Sequence, residues 1–330
     1  MKGWILYFKS QVEITERDYG VWRLLQAAQA REIELTVYSP EQFDLVVSAD
    51  GHKMILIDGE VAVLPDFVIP RLGSSSDYFT LAVIRQLELL GVYLANSAQG
   101  IATVKDKFQM HQLLAAQGLP TPKTMLLRFP IDREIVRQEI GFPMVVKNVT
   151  GTEGNGVYLC TSEEQFTDLM ELIHANNSTP QIILQKFIQT SYGQDLRIFV
   201  VGGKVIGHMK RFSTSGFKAN FSRGGKVAAI KLTAQMERLA LQAAQVAGLE
   251  ISGIDLLFDQ AGRYQICEAN SSPGFKGLEQ VMGLCIAEQI IDYIVVQVRR
   301  KGPEKTLRPQ LSLKKLENRN VLPLHNSGTN

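Results

Sequence analysis

Gly253-Ile254-Asp255-Leu256-Leu257-Phe258 and Tyr264-Gln265-Ile266-Cys267-Glu268-Ala269-Asn270-Ser271-Ser272-Pro273-Gly274 are two apolar-rich runs separated by five polar or small residues. They read as a β pair. A two-residue turn centred at Ala261-Gly262 sets Asp255 directly opposite Glu268. Asn270 then faces the same way as Glu268, because strand side chains alternate with period two. Three oxygen donors on one face suit Mg²⁺, which keeps its other positions for water and phosphate oxygens. Taken alone, the cluster reads more simply as the solvated side of an edge hairpin. The run Asn270–Gly274 is a turn that fixes Asn270 where the strand ends.

Upstream, Lys147 ends the apolar strand Pro143-Met144-Val145-Val146-Lys147. A lysine there is ordinarily an exposed residue on a half-buried sheet. Four residues later, Gly151-Thr152-Glu153-Gly154-Asn155-Gly156 can approach phosphates closely and present backbone N–H groups. Its spacing is neither a Walker loop nor a dinucleotide fingerprint, since the strand Val157–Cys160 follows instead of a helix. The loop therefore joins two strands, as a flap over a nucleotide does. Between them and the β pair lies Asn220-Phe221-Ser222-Arg223-Gly224-Gly225, preceded by Lys210, Arg211 and Lys218. Cations beside glycines fit phosphate or acyl-phosphate binding, or equally a solvated basic loop.

The rest of the chain organises around these segments. Strand–helix alternation up to about Ala102 describes a small α/β unit. It includes a hairpin turned at Asp58-Gly59 and an amphipathic helix over Phe79–Leu90. A helix over Lys105–Gln117 opens a second unit, which ends with the strand Gln181–Ile188. The third begins with the strands Leu196–Val201 and Val205–Arg211, and closes with the helix Ile286–Arg299. The expected boundaries are 1–102, 103–188 and 189–301. Residues 302–330 form a Pro/Lys/Asn-rich tail with too few apolar positions to need a core, expected to be mobile. A hydrophobic share of 45%, a charged share of 21% and a net charge of +2 over 330 residues are those of an ordinary globular protein. That balance argues against a dedicated nucleic-acid binder. Three widely spaced cysteines suggest no disulfide framework, and a cytoplasmic setting is expected. No apolar run is long enough to span a bilayer.

In this order, the segments resemble the ATP-grasp superfamily, and within it the RimK-like α-L-glutamate ligases. The likeness runs from about residue 4 to 300 and is carried most specifically by Asn220–Gly225 and Glu268–Phe275, with Ile69–Gly73, Lys105–Lys107, Asp195–Arg197 and Gly253–Asp255 in support. It implies a fold of α/β and α+β parts, an ATP-grasp pair of lobes behind an N-terminal α/β pre-ATP-grasp domain. It also implies ATP held by Lys107, Lys147, Gly151, Gly154 and Gly156, with Lys186 and Phe187 at the adenine hinge and Asp195 at the ribose. Lys218 and Asn220 would face the triphosphate. Asp255, Glu268 and Asn270 would bind two Mg²⁺ or Mn²⁺ ions. Arg223, with Lys218, would serve catalysis, and Arg71 and Arg197 would clamp substrate carboxylates. Two positions depart from the family pattern: Lys186, where the hinge usually has a carboxylate, and Lys218, where arginine is frequent.

The implied activity is an ADP-forming ligase that activates a carboxylate as an acyl-phosphate and joins it to an amine. The partners would be a glutamate-like amine donor and a carboxylate acceptor, either a protein C-terminus or a small molecule. A small-molecule kinase and a non-catalytic ATP-binding regulator are the alternatives. The sequence leaves the substrates, repeated addition and homo-oligomer formation open.

Overall fold

The computed structural model describes residues 1–48, 53–73, 76–151, 156–176, 180–214, 216–219 and 224–301. The tail from Gly302 lies outside them.

The N-terminal part builds β1 (Lys2–Leu6), α1 (Tyr19–Gln29), β2 (Glu34–Tyr38), β3 (Phe43–Val47), β4 (Lys53–Ile57), β5 (Glu60–Val61), β6 (Phe67–Pro70), α2 (Tyr78–Leu89), β7 (Tyr93–Leu94) and α3 (Ala98–Lys105). Strands β2-β1-β6-β7 make a parallel sheet, and β3-β4-β5 an antiparallel one. Alternate residues of β1 feed opposite faces, as period two requires. Trp4 and Leu6 pack with Val83, Ile84 and Leu87 of α2, while Ile5 packs with Val21 and Leu24 of α1. The expected turn at Asp58-Gly59 is present, both residues having positive φ (52° and 83°).

The middle part contains α4 (Lys107–Ala116), β8 (Thr124–Leu126), α5 (Arg133–Glu139), β9 (Met144–Asn148), β10 (Val157–Cys160), α6 (Glu163–Asn176) and β11 (Ile182–Lys186). Its antiparallel sheet, β10-β9-β11-β8, rests on α5 and α6 through Val136, Ile140, Phe166 and Met170. The helix expected over Lys105–Gln117 is α4, which begins two residues later, directly after α3 ends at Lys105. Asp106 adopts φ −85°, ψ 99°, ends α3, and caps α4 by accepting from the Gln109 amide at 2.9 Å. An aspartate before a helix favours that arrangement over continuing the helix.

The C-terminal part has β12 (Gln194–Val201), β13 (Lys204–Phe212), β14 (Lys226–Ala228), α7 (Ala234–Ala247), β15 (Ile251–Phe258), β16 (Tyr264–Asn270), α8 (Lys276–Met282) and α9 (Ile286–Lys301). Its sheet runs β14-β13-β12-β15-β16, antiparallel throughout. One face packs on α7 together with Val104, Met110, Leu114 and Leu119, so α4 shares its core with this sheet. The other face, through Phe199, Phe275, Ile290 and Ile294, joins the core beneath α1. Burying each such aromatic or branched side chain stabilises by about 1.5–3 kcal/mol, which locks the outer two units to each other. Among the described residues no single helix is long and apolar enough to cross a membrane. Only α8 and α9 together pass that test, and they are bent by 109° with Leu278, Ile286 and Ile290 in the core.

Candidate active site

Strand pairing brings four charges to one face of the C-terminal sheet. Asp195 lies opposite Arg211, and Arg197 opposite Asp255. Asp195 and Arg197 are two residues apart on β12 and so share that face. Arg197 forks onto Asp255 with both bonds at 2.6 Å, and Arg211 forks onto Asp195 with both at 2.7 Å. A further contact of 2.9 Å links Arg211 to Asp255 and makes the four a network. Burial alone would raise the pKa of Asp255. The Arg197 and Arg211 charges outweigh it and hold that carboxyl below its ordinary value. At Asp195 burial and the Asp255 charge prevail over Arg211, and the value is raised.

Asp255 does face Glu268, by another route than a two-residue turn. The hairpin closes at Phe258 opposite Tyr264, around a five-residue loop in which Asp259 Oδ1 accepts from the Ala261 and Arg263 amides, both at 2.9 Å. The register then shifts between Asp255 and Leu256, leaving Cys267 as the extra residue of a β-bulge. Asn270 Nδ2 lies 3.3 Å from Asp255 Oδ2. Gly253 leaves room for the turn that follows Asn270: a Cβ there would sit 2.7 Å from Pro273 Cβ and 3.2 Å from Arg197 Cδ.

Lys147 reaches across from the middle sheet. Its Nζ donates to Gln185 Oε1 at 2.6 Å and stands 3.7 Å from Cys267 Sγ, beside Glu268. Lys107, at the start of α4, donates to the Gly151 carbonyl at 2.5 Å. Burial lowers its pKa most, Glu268 acting to raise it and Lys147 to lower it further. The Glu268 side chain has no hydrogen-bond or ion-pair partner among the described residues. Gly151 and Gly156 flank the loop with φ of 134° and 64°. Lys218 lies 5.6 Å from the Tyr158 ring, a contact between the C-terminal part and β10. Lys186 is exposed at the end of β11, and Phe187 packs edge-on against Tyr192 at 6.2 Å. Arg71 donates twice to the Pro273 carbonyl at 3.1 Å, and its Nε is buried without a partner among the described residues. Gly154, Asn220 and Arg223 lie outside the described residues.

Residues 104–294 match the RimK-like ATP-grasp domain, and residues 12–101 the RimK pre-ATP-grasp domain. The chain belongs to the RimK-like ATP-grasp family. A relative from Legionella pneumophila (strain Corby), named "Probable alpha-L-glutamate ligase", is 37% identical over 283 residues, 84% of this chain and 91% of the relative. One of the same name from Halorhodospira halophila is 35% identical over 292 residues, 88% of this chain and 94% of the relative. Among solved structures, the fold resembles the ATP-grasp ligase PsnB complexed with a phosphomimetic variant of minimal precursor, Mg and ADP. That likeness has a TM-score of 0.66 at 21% identity, over 90% of this chain and 99% of that one. It also resembles D-alanine–D-alanine ligase from Bacillus anthracis complexed with ATP, with a TM-score of 0.64 at 17% identity, over 91% of this chain and 97% of that one.

The protein is thus an ATP-grasp ligase that forms C–N bonds and releases ADP. Membership implies ATP and Mg²⁺. Of the three expected donors, the Glu268 carboxylate has no competing side-chain partner among the described residues and suits a hard cation, whereas both Asp255 oxygens are already engaged by Arg197, Arg211 and the Asn270 amide nitrogen. Sequence reading singled out the charged residues of this site one by one, but not the Asp195–Arg211–Asp255–Arg197 network. Nor did it find His111, Thr121 and Cys267, which turn out to contact the lysine cluster through Gln185, the Ile266 carbonyl and the bulge.

The network has a measurable consequence. Asp255→Asn removes a charge from between Arg197 and Arg211, which are only 8% and 6% exposed. Breaking a buried pair by removing one partner costs about 3–5 kcal/mol, so Asp255→Asn is expected to lose that much in urea unfolding. A loss below about 1 kcal/mol, the range of exposed pairs, would show that solvent already screens these charges.

Proposed function

We propose that the protein joins glutamate, or a similar amino acid, through its amine to a carboxylate acceptor, by way of an acyl-phosphate. The observation that carries this reading is Lys147 standing 3.7 Å from Cys267 on the bulge that presents Glu268. It sets a phosphate-neutralising ammonium against a hard-cation donor set across the cleft between two lobes. The curated relatives' name supplies the amino acid.

In this reading ATP lies between the middle and C-terminal sheets. Lys107 and Lys147 hold its phosphates, the loop 151–156 covers them with Gly151, Gly154 and Gly156, and Lys218 and Asn220 add charge and hydrogen bonds at the triphosphate. The backbone at Lys186 and Phe187 reads the base, and Asp195 holds the ribose through lone pairs that Arg211 leaves free. Asp255, Glu268 and Asn270 would hold two Mg²⁺ or Mn²⁺ ions, which supply charge neutralisation at the transferring phosphoryl group. The acceptor carboxylate attacks the γ-phosphorus, and ADP leaves. The amine then attacks the acyl carbon, phosphate leaves, and Arg223 with Lys218 stabilises the developing oxyanion. Arg71, whose buried Nε has no partner among the described residues, would bind a substrate carboxylate. Arg197 is forked onto Asp255, which favours holding that carboxylate over clamping a substrate.

The test is trapping. With ATP, Mg²⁺ and the carboxylate acceptor that supports ADP release, hydroxylamine should convert the acyl-phosphate into a hydroxamate detectable by mass spectrometry. A phosphorylated product that survives hydroxylamine would make the protein a kinase instead.

A further inference from the structure

Beneath Lys147 runs a chain of hydrogen bonds whose direction is fixed from one end. The Ile266 carbonyl can only accept, so Thr121 Oγ1 donates to it at 3.0 Å. That uses the single hydroxyl proton. The same oxygen lies 2.5 Å from His111 Nδ1 and must therefore accept, so Nδ1 carries the ring proton. The ring takes no second proton: burial, and then the charges of Lys147 and Lys107, push its pKa down to about 3. Nε2 is thus a bare acceptor, and Gln185 Nε2 donates to it at 2.9 Å. The second proton of that amide goes to Thr124 Oγ1 at 2.9 Å, and Thr124 passes its own to the Pro122 carbonyl at 2.8 Å.

Only one orientation of Gln185 satisfies all of these, and it turns Oε1 to Lys147 Nζ at 2.6 Å. The flipped amide would face the ammonium with N–H groups and the bare Nε2 with an oxygen, two repulsive contacts. Lys147 also touches Cys267, the residue next to Ile266, so the chain returns to its starting strand. The ring of contacts ties α4, β9 and β11 to the bulge that presents Glu268. Gln185 and His111 are buried at 2% and 6% exposure, so the bond between them is held out of water's reach.

We propose that His111, in its Nδ1–H form, is a positioning residue for Lys147. It locks the Gln185 amide in the orientation that aims the ammonium at the Glu268 bulge. A lysine is a point charge on a flexible stem, and fixing it before the ligand arrives removes an ordering cost from binding. The proposal rests on the assignment of Lys147 to the ATP phosphates.

Two measurements test it. In the full-length protein labelled with ¹⁵N-histidine, His111 should show a protonated Nδ1 and a bare Nε2 at pH 7. The Nε2–H tautomer or an imidazolium would overturn the proposal without any variant. By calorimetry with ATP and Mg²⁺, His111→Leu should weaken affinity roughly tenfold, the scale of one hydrogen bond to a charged group. His111→Gln, whose Oε1 can accept where Nε2 did, should recover most of that loss. In a Lys147→Ala background, His111→Leu should have no further effect, because the interaction it supports is gone. A full additive loss there would make His111 a core residue only and overturn the proposal. If Lys147→Ala binds ATP as tightly as the parent, the assignment of Lys147 fails first and takes this inference with it. If Lys147→Ala weakens ATP and His111→Leu does not, the inference alone fails.

Discussion

Glu268→Gln is expected to lower the rate of ADP formation by a factor on the order of a hundred or more, the scale of losing one electrostatic stabiliser of the transition state. The amide keeps the shape and one oxygen donor but removes the negative charge that attracts a hard cation. The Glu268 side chain has no hydrogen-bond or ion-pair partner among the described residues, so the substitution breaks no side-chain bond and removes only a charge that faces Lys107 and Arg211. Stability in urea should therefore stay within about 0.5 kcal/mol of the parent, as for substitutions away from buried polar groups. That contrast with Asp255→Asn, where a buried network is cut, separates loss of chemistry from loss of fold. Normal turnover by a folded Glu268→Gln protein would remove Glu268 from the cation-binding set.

Arg223→Ala is expected to act on the reaction more than on binding. A charge that meets the phosphoryl group or the oxyanion only as they develop stabilises the transition state and leaves ground-state ATP nearly untouched. Losing such a group costs on the order of 2.7–4 kcal/mol, or roughly a hundred- to a thousandfold in kcat. ATP affinity by calorimetry should change only several-fold. Near-normal kcat would return the 220–225 segment to the solvated basic loop that its composition equally allows.

The two Asp255 and Glu268 positions show how much of the site was legible and how. A two-residue turn at Ala261-Gly262 set these carboxylates opposite each other, and the structure pairs them by a different register. The geometry behind the pairing was not legible. The loop is longer than the turn expected at Ala261-Gly262, and the bulge at Cys267 restores the register. The bulge sets Cys267 3.7 Å from Lys147 across the cleft, and strand periodicity carries no record of that contact. The start of α4 is similar: apolar spacing marked a helix from Lys105, while the Asp106 cap starts it at Lys107 and separates it from α3. The charged network needed strand order. Asp195 and Arg197 share a face by alternation alone, but only the placement of β12 between β13 and β15 supplies each with its opposite charge. His111 reads in sequence as one more position on α4, and its two partners, Thr121 and Gln185, come from two other segments of the chain.

Transfer of oxygen from the acceptor to phosphate tests the acyl-phosphate account most directly. The acceptor carboxylate is labelled with ¹⁸O, and the phosphate released with the amide product is analysed by mass spectrometry. If that carboxylate attacks the γ-phosphorus and the amine then displaces phosphate at carbon, one labelled oxygen leaves with each phosphate. Phosphate free of ¹⁸O, alongside normal amide formation, would contradict the account.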